Sequence, residues 1–390
     1  MTYDTMQTPD FPTETGRAWI EIDLDALAHN ADLLRAQMPR ECELMAVVKA
    51  DAYGHGAVQV AKHLEKIGVR SFAVATVGEG VELRQGGLGG EILVLNYTHP
   101  MNASFLSEYN LMQLIIDGDY AQELNDIGTK LNVHISIDTG MHREGIDVNK
   151  IDEIESVFKQ KNLTVKGVAT HFATSDSISQ SDIDFTIKQL EKFHGTVDYL
   201  VAKGYDVGKL HSQATYGMLN HVDDYCNFIR AGIALYGVLS HDEETIMKLP
   251  VIPVLKLKAM IAQVRWIGAG ESVSYGRTFI ADKPLKLATV CIGYADGVPR
   301  SMSGNGGSCL LHGKRVPILG RICMDLLMID VTEVESATAG DIVTLIGVDG
   351  SEQIRCEDFA SLSGTITNEV LSRLGSRLPR VYIERRQSPI

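Results

Sequence analysis

The chain has 390 residues, with 36 Lys and Arg against 50 Asp and Glu, a net charge of −14, and 45% hydrophobic and 22% charged residues. That balance is typical of a soluble globular protein of two or three domains. It argues against nucleic acid or an anionic membrane as a partner, although a locally basic site for a small anion stays open. The six cysteines, Cys42, Cys226, Cys291, Cys309, Cys323 and Cys356, are scattered; without CxxC or metal-like spacing they fit free thiols in a reducing, cytoplasmic setting and no metal site.

The first 16 residues carry acids and prolines but no apolar core, so they read as a flexible tail and not a signal peptide. No run approaches the length of a membrane span. Residues 18–35, AWIEIDLDALAHNADLLR, read as a strand running into a helix that enters the first domain. Apolar strand-like runs then recur: MAVV (45–48), FAVA (72–75), ILVL (92–95), LMQLII (111–116), VHISI (133–137), VKGVAT (165–170), a short run ending at His211, and CNFI (226–229). Helical patterns lie between them, including 77–87 and 182–204, and both end on glycine. Strands alternating with helices in this way predict a (β/α)8 barrel. An open doubly wound sheet is the main competitor, weakened by the lack of GxGxxG after the first run. Past residue 245 the texture changes to short strands between Gly, Pro and Asp turns, with one further helical pattern at 357–374. The expected organisation is a tail over 1–16, a barrel over 17–245, and a mostly β domain over 246–390.

Barrel enzymes place chemistry at the C-terminal ends of strands, with a phosphate site often built after strands seven and eight. Lys49 ends the first run, in MAVVKADAYGHG. Lysine is rarely buried without a partner; here it is either a strand-end residue reaching water or an amine that forms an imine with a carbonyl. Arg143 follows the fifth run in DTGMHREG, and His171 the sixth in ATHFATSD. Thr215 lies in HSQATYG after the seventh, and Arg230, Gly232 and Ile233 in IRAGIALYG after the eighth. Singly, Arg143 reads as a surface ion-pair residue and His171 as a satisfied core histidine. Together they put a lysine, two arginines and a small-residue cup on one rim. A lysine for an aldehyde and a cup for a phosphate point to pyridoxal phosphate.

These segments resemble the alanine racemase family. AVVKADAYGHGA is similar to its pyridoxal-phosphate signature, and DTGMHREG, THFATSD, RAGIALYG, SVSYGRTF, IGYADGVPR, GRICMD and SRLPRVY resemble further family blocks in the family's order, from about residue 18 to 382. The resemblance implies a fold type III barrel with a β domain, working as a head-to-tail homodimer that interconverts L- and D-alanine for peptidoglycan. Lys49 would carry the cofactor and serve as one catalytic base. Tyr275, in VSYG, would be the opposing base, supplied to the other subunit's site. Tyr53, Thr215, Gly232 and Ile233 would hold the phosphate, and Arg230 would face the pyridine nitrogen. His171 would bridge Arg230 and Tyr275. Arg143 would bind the cofactor O3′ or the substrate carboxylate side, the Met324 backbone N–H would assist the substrate carboxylate, and Tyr294 and Asp325 would line the access route.

The chemistry has its own logic. Inverting a centre through a planar carbanion needs acid–base groups on opposite faces, and lysine and tyrosine both start near pKa 10. Desolvation and a neighbouring cation can lower the lysine, and adjacent positive charge the tyrosine. An arginine, effectively always charged, opposite the pyridine nitrogen disfavours its protonation and returns the proton to Cα. Two positions depart from the family pattern. Ser136 stands where many relatives carry a carbamylated lysine that orients the arginine; a bound anion such as chloride, or a neighbouring side chain, would take over that task. Ser376 replaces a tyrosine that narrows the access route, which predicts tolerance of serine as a second substrate. Alternatives are a serine or dual alanine/serine racemase, a related barrel decarboxylase, and a non-catalytic pyridoxal-phosphate-binding protein. The last is disfavoured by the second domain.

Overall fold

The first strand, β1 (Ala18–Asp23), does not enter the barrel. It pairs antiparallel with the long strand Leu255–Ile267, in register Ala18↔Ala259 to Ile22↔Leu255, and parallel with Arg380–Ile383. The sequence carried this segment into the first domain because it runs straight into a helix. That helix, Leu24–Gln37, does pack on the barrel side, N-capped by Asp23 Oδ1, which accepts from Ala26 N at 3.0 Å. The strand before it is buried on both faces, as an interior member of a large sheet must be. The computed structural model describes residues 16–384 except 222, 224 and 241–244; the expected tail over residues 1–15 lies outside the described residues.

The barrel consists of β2 (Glu43–Val47), β3 (Ser71–Val74), β4 (Glu91–Val94), β5 (Met112–Ile115), β6 (Leu131–Asp138), β7 (Leu163–Ala169), β8 (Lys209–His211) and β9 (Phe228–Ala231). All neighbours are parallel, in the order β9-β2-β3-β4-β5-β6-β7-β8, and a bridge between Ala214 and Arg230 nearly closes the ring. The strands are apolar on both faces because helices cover one side and the interior the other. Side chains alternate along each strand, so Met45, Val47, Ala73, Leu93, Met112 and Leu114 fill the interior while Leu44, Ala46, Phe72, Val74 and Ile92 face the helices. On β6 to β9 the same alternation turns His134, Ser136, His211 and Arg230 inward. One half of the interior is therefore apolar and the other carries the polar machinery.

The second domain adds β10 (Leu255–Ile267), β11 (Leu285–Val290), β12 (Ser308–Leu311), β13 (Lys314–Leu319), β14 (Leu327–Asp330), β15 (Ile342–Asp349), β16 (Glu352–Ile354) and β17 (Arg380–Ile383). With β1 they form a nine-stranded sheet ordered β16-β15-β12-β13-β14-β11-β10-β1-β17. The helical pattern expected over 357–374 is two helices, Cys356–Ser363 and Thr367–Ser372, broken at Gly364, whose φ of +69° is the left-handed conformation that ends a helix.

Candidate active site

After β2 the chain makes a turn that L-residues avoid. Ala50, Asp51, Ala52 and Tyr53 all have φ between 52° and 54°, and such a left-handed conformation costs about 1–2 kcal/mol per residue. Bonds from three directions compensate. Ala50 N donates to Glu79 Oε1 at 2.7 Å, Ala57 N to Asp51 Oδ1 at 2.7 Å, and Arg380 Nε to Gly54 O at 3.1 Å. The turn brings Lys49 and Tyr53 to the same cavity. That cavity is about 620 Å³ and is lined by Lys49, Tyr53, Arg143, His171, Thr215, Arg230, Gly232 and Ile233. All eight barrel residues singled out from the sequence thus meet at one mouth, within the volume usual for a small-molecule site.

Arg230 organises the floor. It lies within β9, which ends two residues past the expected strand end at Ile229, so it points into the barrel instead of sitting on a loop. Its guanidinium donates to Thr170 O at 2.8 Å, His171 Nδ1 at 3.1 Å and His211 Nδ1 at 2.9 Å. Arginine only donates, so both imidazoles accept through Nδ1 and carry their proton on Nε2. His211 Nε2 then donates to His134 Nδ1 at 2.8 Å. Burial, with the Arg230 charge behind it, pushes His171 and His134 down to about 3 and His211 well below its ordinary value. The three rings are neutral near pH 7. Burial also lowers Arg230 to about 10, which leaves it a cation. The neighbouring strand makes room for the imidazole pair: a Cβ on Gly167 would lie 2.5 Å from His134 Nδ1. His134 and His211 were not assigned roles from the sequence. Their signal was a polar residue at the inward position of an otherwise apolar strand.

The Lys49 amine is held below its ordinary pKa, first by burial and then by the Arg143 charge, against partial opposition from Glu79 and Glu144. Across the cavity Thr215 Oγ1 accepts from Gly232 N at 3.2 Å. A Cβ on Gly232 would come 2.8 Å from the Tyr53 hydroxyl, so this wall admits only glycine. Arg143 is less settled: its side chain is 55% exposed and its ion pair with Glu144 is long, at 3.6 Å. Ser136 lines the same cavity, and its hydroxyl carries no charge to anchor the arginine.

The second-domain candidates gather elsewhere. Tyr275 is 68% and Met324 53% exposed. Their loops are stitched together, since Ser274 Oγ donates to Arg321 O, Tyr294 N to Cys323 O at 3.0 Å, and Ala295 N to Met324 O at 2.9 Å. Asp325 pairs with Arg377 at 2.7 Å. Tyr275, Tyr294, Met324 and Asp325 therefore share one exposed face, and none of them lines the barrel cavity of its own chain. The expected bridge from His171 reaches Arg230, while Tyr275 stands apart. Ser376 is exposed in the loop just before Arg377, which holds Asp325, and Arg380, which holds the left-handed turn. Among the described residues no cluster of His, Cys, Asp or Glu could hold a metal ion, and no helix is long and apolar enough to cross a membrane.

A nearly closed (β/α)8 barrel whose mouth sets a lysine of lowered pKa beside Arg230, Thr215 and Gly232, followed by a large β domain, defines the class. The alanine racemase N-terminal domain model matches residues 22–240 and the C-terminal domain model residues 254–382. An amino-acid racemase of Enterococcus faecalis is 41% identical over 94% of this chain, which spans about half (51%) of that protein's length. An alanine racemase of Geobacter sp. (strain M21) is 39% identical over 93% of this chain and 98% of its own length. A crystal structure of alanine racemase from Bartonella henselae with covalently bound pyridoxal phosphate superposes with a TM-score of 0.82 at 30% identity, covering 94% of this chain and all of that one. The chain belongs to the alanine racemase family, whose members are pyridoxal-phosphate-dependent amino-acid racemases.

Proposed function

We propose that this protein racemises alanine with pyridoxal phosphate and supplies D-alanine for peptidoglycan. The observation that carries the reading is the single cavity in which Lys49, depressed in pKa, faces Arg230 and the Thr215–Gly232 cup. The residues fit the cofactor. Tyr53, Thr215, Gly232 and Ile233 would hold the phosphate, where glycine alone leaves room under the Tyr53 hydroxyl. Lys49 would take the aldehyde, and Arg230 would donate to the pyridine nitrogen. When bound, the cofactor withdraws electrons from the substrate and makes the Cα proton removable.

The chain's own residues do the rest. Lys49 Nζ, poised by burial to lose its proton more easily than a free lysine, moves a proton at Cα on one face. The Tyr275 hydroxyl of a second copy serves the opposite face, because Tyr275 is exposed on a face remote from the barrel mouth of its own chain. Arg230, held by Thr170, His171 and His211 as a permanent donor, would disfavour protonation of the pyridine nitrogen, which favours return of the proton to Cα by Lys49 or Tyr275. Arg143 and the Met324 N–H orient the carboxylate, and Tyr294 and Asp325 flank the access route. The protein then works as a homodimer with shared sites. Its domains divide the labour: the barrel, expected over 17–245, binds the cofactor, and the β domain, expected over 246–390, completes the partner's site.

Ser376 favours a second reading, a dual alanine/serine racemase. It sits in the loop joining the left-handed turn to the exposed face, where a small hydroxyl leaves space and a hydrogen-bonding group. One experiment tests both readings. The purified protein, given pyridoxal phosphate, should absorb in the visible and interconvert L- and D-alanine; serine turnover within about tenfold of alanine would establish the dual reading, since pocket-size changes are worth about 10–200-fold. Inactivity on both amino acids in the cofactor-loaded protein would refute the proposal.

A further inference from the structure

His55 lies beneath the mouth, fully buried, and has no part in the chemistry proposed above. Its Nδ1 is 2.9 Å from both Ala52 O and Tyr53 O. Two carbonyls around one ring nitrogen require that nitrogen to be the donor, so the proton is on Nδ1 and Nε2 is bare. Nε2 has no protein partner and borders a cavity of about 20 Å³ between the barrel and the β domain. Burial lowers the ring to about 4, so it is neutral near pH 7. The ring is fixed by stacking on Tyr236 at 4.5 Å, and Tyr236 is itself anchored through its hydroxyl to Val47 O at 2.8 Å. The glycines on either side leave no slack: a Cβ on Gly54 would meet Leu371 O at 2.3 Å, and one on Gly56 the Tyr382 hydroxyl at 1.7 Å.

The two carbonyls that His55 holds belong to the left-handed turn. The other brackets on that turn grip different atoms: Glu79 holds the Ala50 N–H, and Arg380 the Gly54 carbonyl. The imidazole grips the carbonyls of residues 52 and 53 together from inside the core, while the His55 backbone N–H reaches Ala52 O alone, at 3.1 Å. Relaxation of either residue to negative φ would swing its carbonyl away and carry Tyr53, and with it the cup over Gly232, out of the cavity. We propose that His55 is a positioning residue whose Nδ1–H, shared between Ala52 O and Tyr53 O, clamps the left-handed turn and thereby sets Lys49 and Tyr53 at the mouth. The assignment rests on the cofactor reading for its functional consequence, and on the turn geometry alone for its structural one.

Three variants separate the clamp from general packing. In His55→Asn the side-chain amide nitrogen reaches the place of Nδ1; in His55→Gln it reaches the place of Nε2; His55→Leu has no donor. Two measurements apply. The first is hydrogen exchange of the Ala50–Tyr53 amides in the cofactor-free protein, and the second is pyridoxal-phosphate affinity by absorbance titration. Expected are wild-type exchange and affinity within about threefold for Asn, and for Gln and Leu about tenfold or more faster exchange and weaker binding, as loss of one buried hydrogen bond implies. Equal behaviour of Asn and Gln, at equal unfolding midpoints, would overturn the clamp, as would wild-type exchange in Leu. If Leu does not fold, the Asn–Gln pair still decides. Failure of the wild type to bind pyridoxal phosphate would overturn the cofactor reading, while the exchange measurement would still test the clamp.

Discussion

The barrel mouth and the exposed face of the β domain are built to opposite rules. At the mouth the candidate groups, Arg143 excepted, are held by others: Lys49 by the left-handed turn, Arg230 by Thr170, His171 and His211, Gly232 by Thr215. Burial there moves pKa values down in the amine and the imidazoles alike. On the other face Tyr275 and Met324 stand largely in solvent, fastened only through the backbone of their loops. A preorganised half-site loses little freedom when ligand arrives. An exposed phenol placed by stitched loops is rigid in position but lacks surroundings. The difference is what a site divided between two copies predicts: the chain would finish the half that holds the cofactor and present the half that completes a neighbour's.

The sharpest way to break that comparison is complementation. Lys49→Ala should abolish cofactor absorbance and reduce activity by at least the roughly 10²–10⁴-fold ascribed to a general base. Tyr275→Phe should impair the L-to-D direction most. In the L-to-D direction each variant alone should be strongly impaired, yet a mixed dimer of the proposed kind would carry one site with both lesions and one intact site. Co-refolding equal amounts should restore about one quarter of wild-type activity if subunits pair at random in a two-fold dimer. Activity no greater than the sum of the parents would show that Lys49 and Tyr275 serve the same chain, or no common site.

Arg230 tests the mouth by itself. Arg230→Gln leaves the acceptors on Thr170, His171 and His211 short of donors in a buried space, and each buried group left unsatisfied costs about 1–3 kcal/mol. Arg230→Glu reverses the charge presented to the pyridine nitrogen. It should lower racemisation and raise the yield of keto acid from alanine, measured as pyruvate. Absence of pyruvate above wild type would count against the role given to the guanidinium.

Acid should unfold the mouth before it disturbs the face. His55, His134 and His211 are buried and depressed below the ordinary histidine value. Between about pH 4 and 6.5 the unfolded chain therefore binds protons that the folded chain refuses, and stability rises with pH across this window. Each histidine contributes a slope of about 1.4 kcal/mol per pH unit, so three together make the loss from pH 6.5 toward 4 steep. Urea titrations at pH 7, 6 and 5 measure it, and His134→Gln should reduce the slope by one histidine's share. An unchanged slope would mean that His134 is not held neutral.

How far the sequence foretold this division differs between the halves. The eight strands and the residues after them were legible because burial on both faces leaves unbroken apolar runs, and a barrel gathers strand ends at one rim. The inward His134 and His211 were not, since a histidine within a short apolar run looks the same whether it meets a guanidinium or a backbone carbonyl. The left-handed turn was hidden because Ala50, Ala52 and Tyr53 are not residues that announce positive φ, and Asp51 alone does not signal a run of four. Strand β1 was misplaced because its partners, Leu255–Ile267 and Arg380–Ile383, are more than two hundred residues away, and local pattern carries no information about them.

The smallest expected effect concerns Arg143, the one mouth residue that behaves like the exposed face. Its side chain is half exposed and its Glu144 contact is loose, while Ser136 beside it has no charge to offer. A guanidinium so placed, with Lys49 and Arg230 across the cavity, draws a small anion. Chloride bound there would fix Arg143 without covalent change to the strand, and partly exposed ion pairs are worth about 0.2–1 kcal/mol. Replacing chloride by gluconate at constant ionic strength should therefore raise the KM for alanine by no more than about fivefold and leave kcat unaltered. Ser136→Asp supplies the charge internally and should remove the halide dependence. If KM is the same in both salts for the wild type, the anion is not what orients Arg143, and Glu144→Gln should then raise KM by that margin instead.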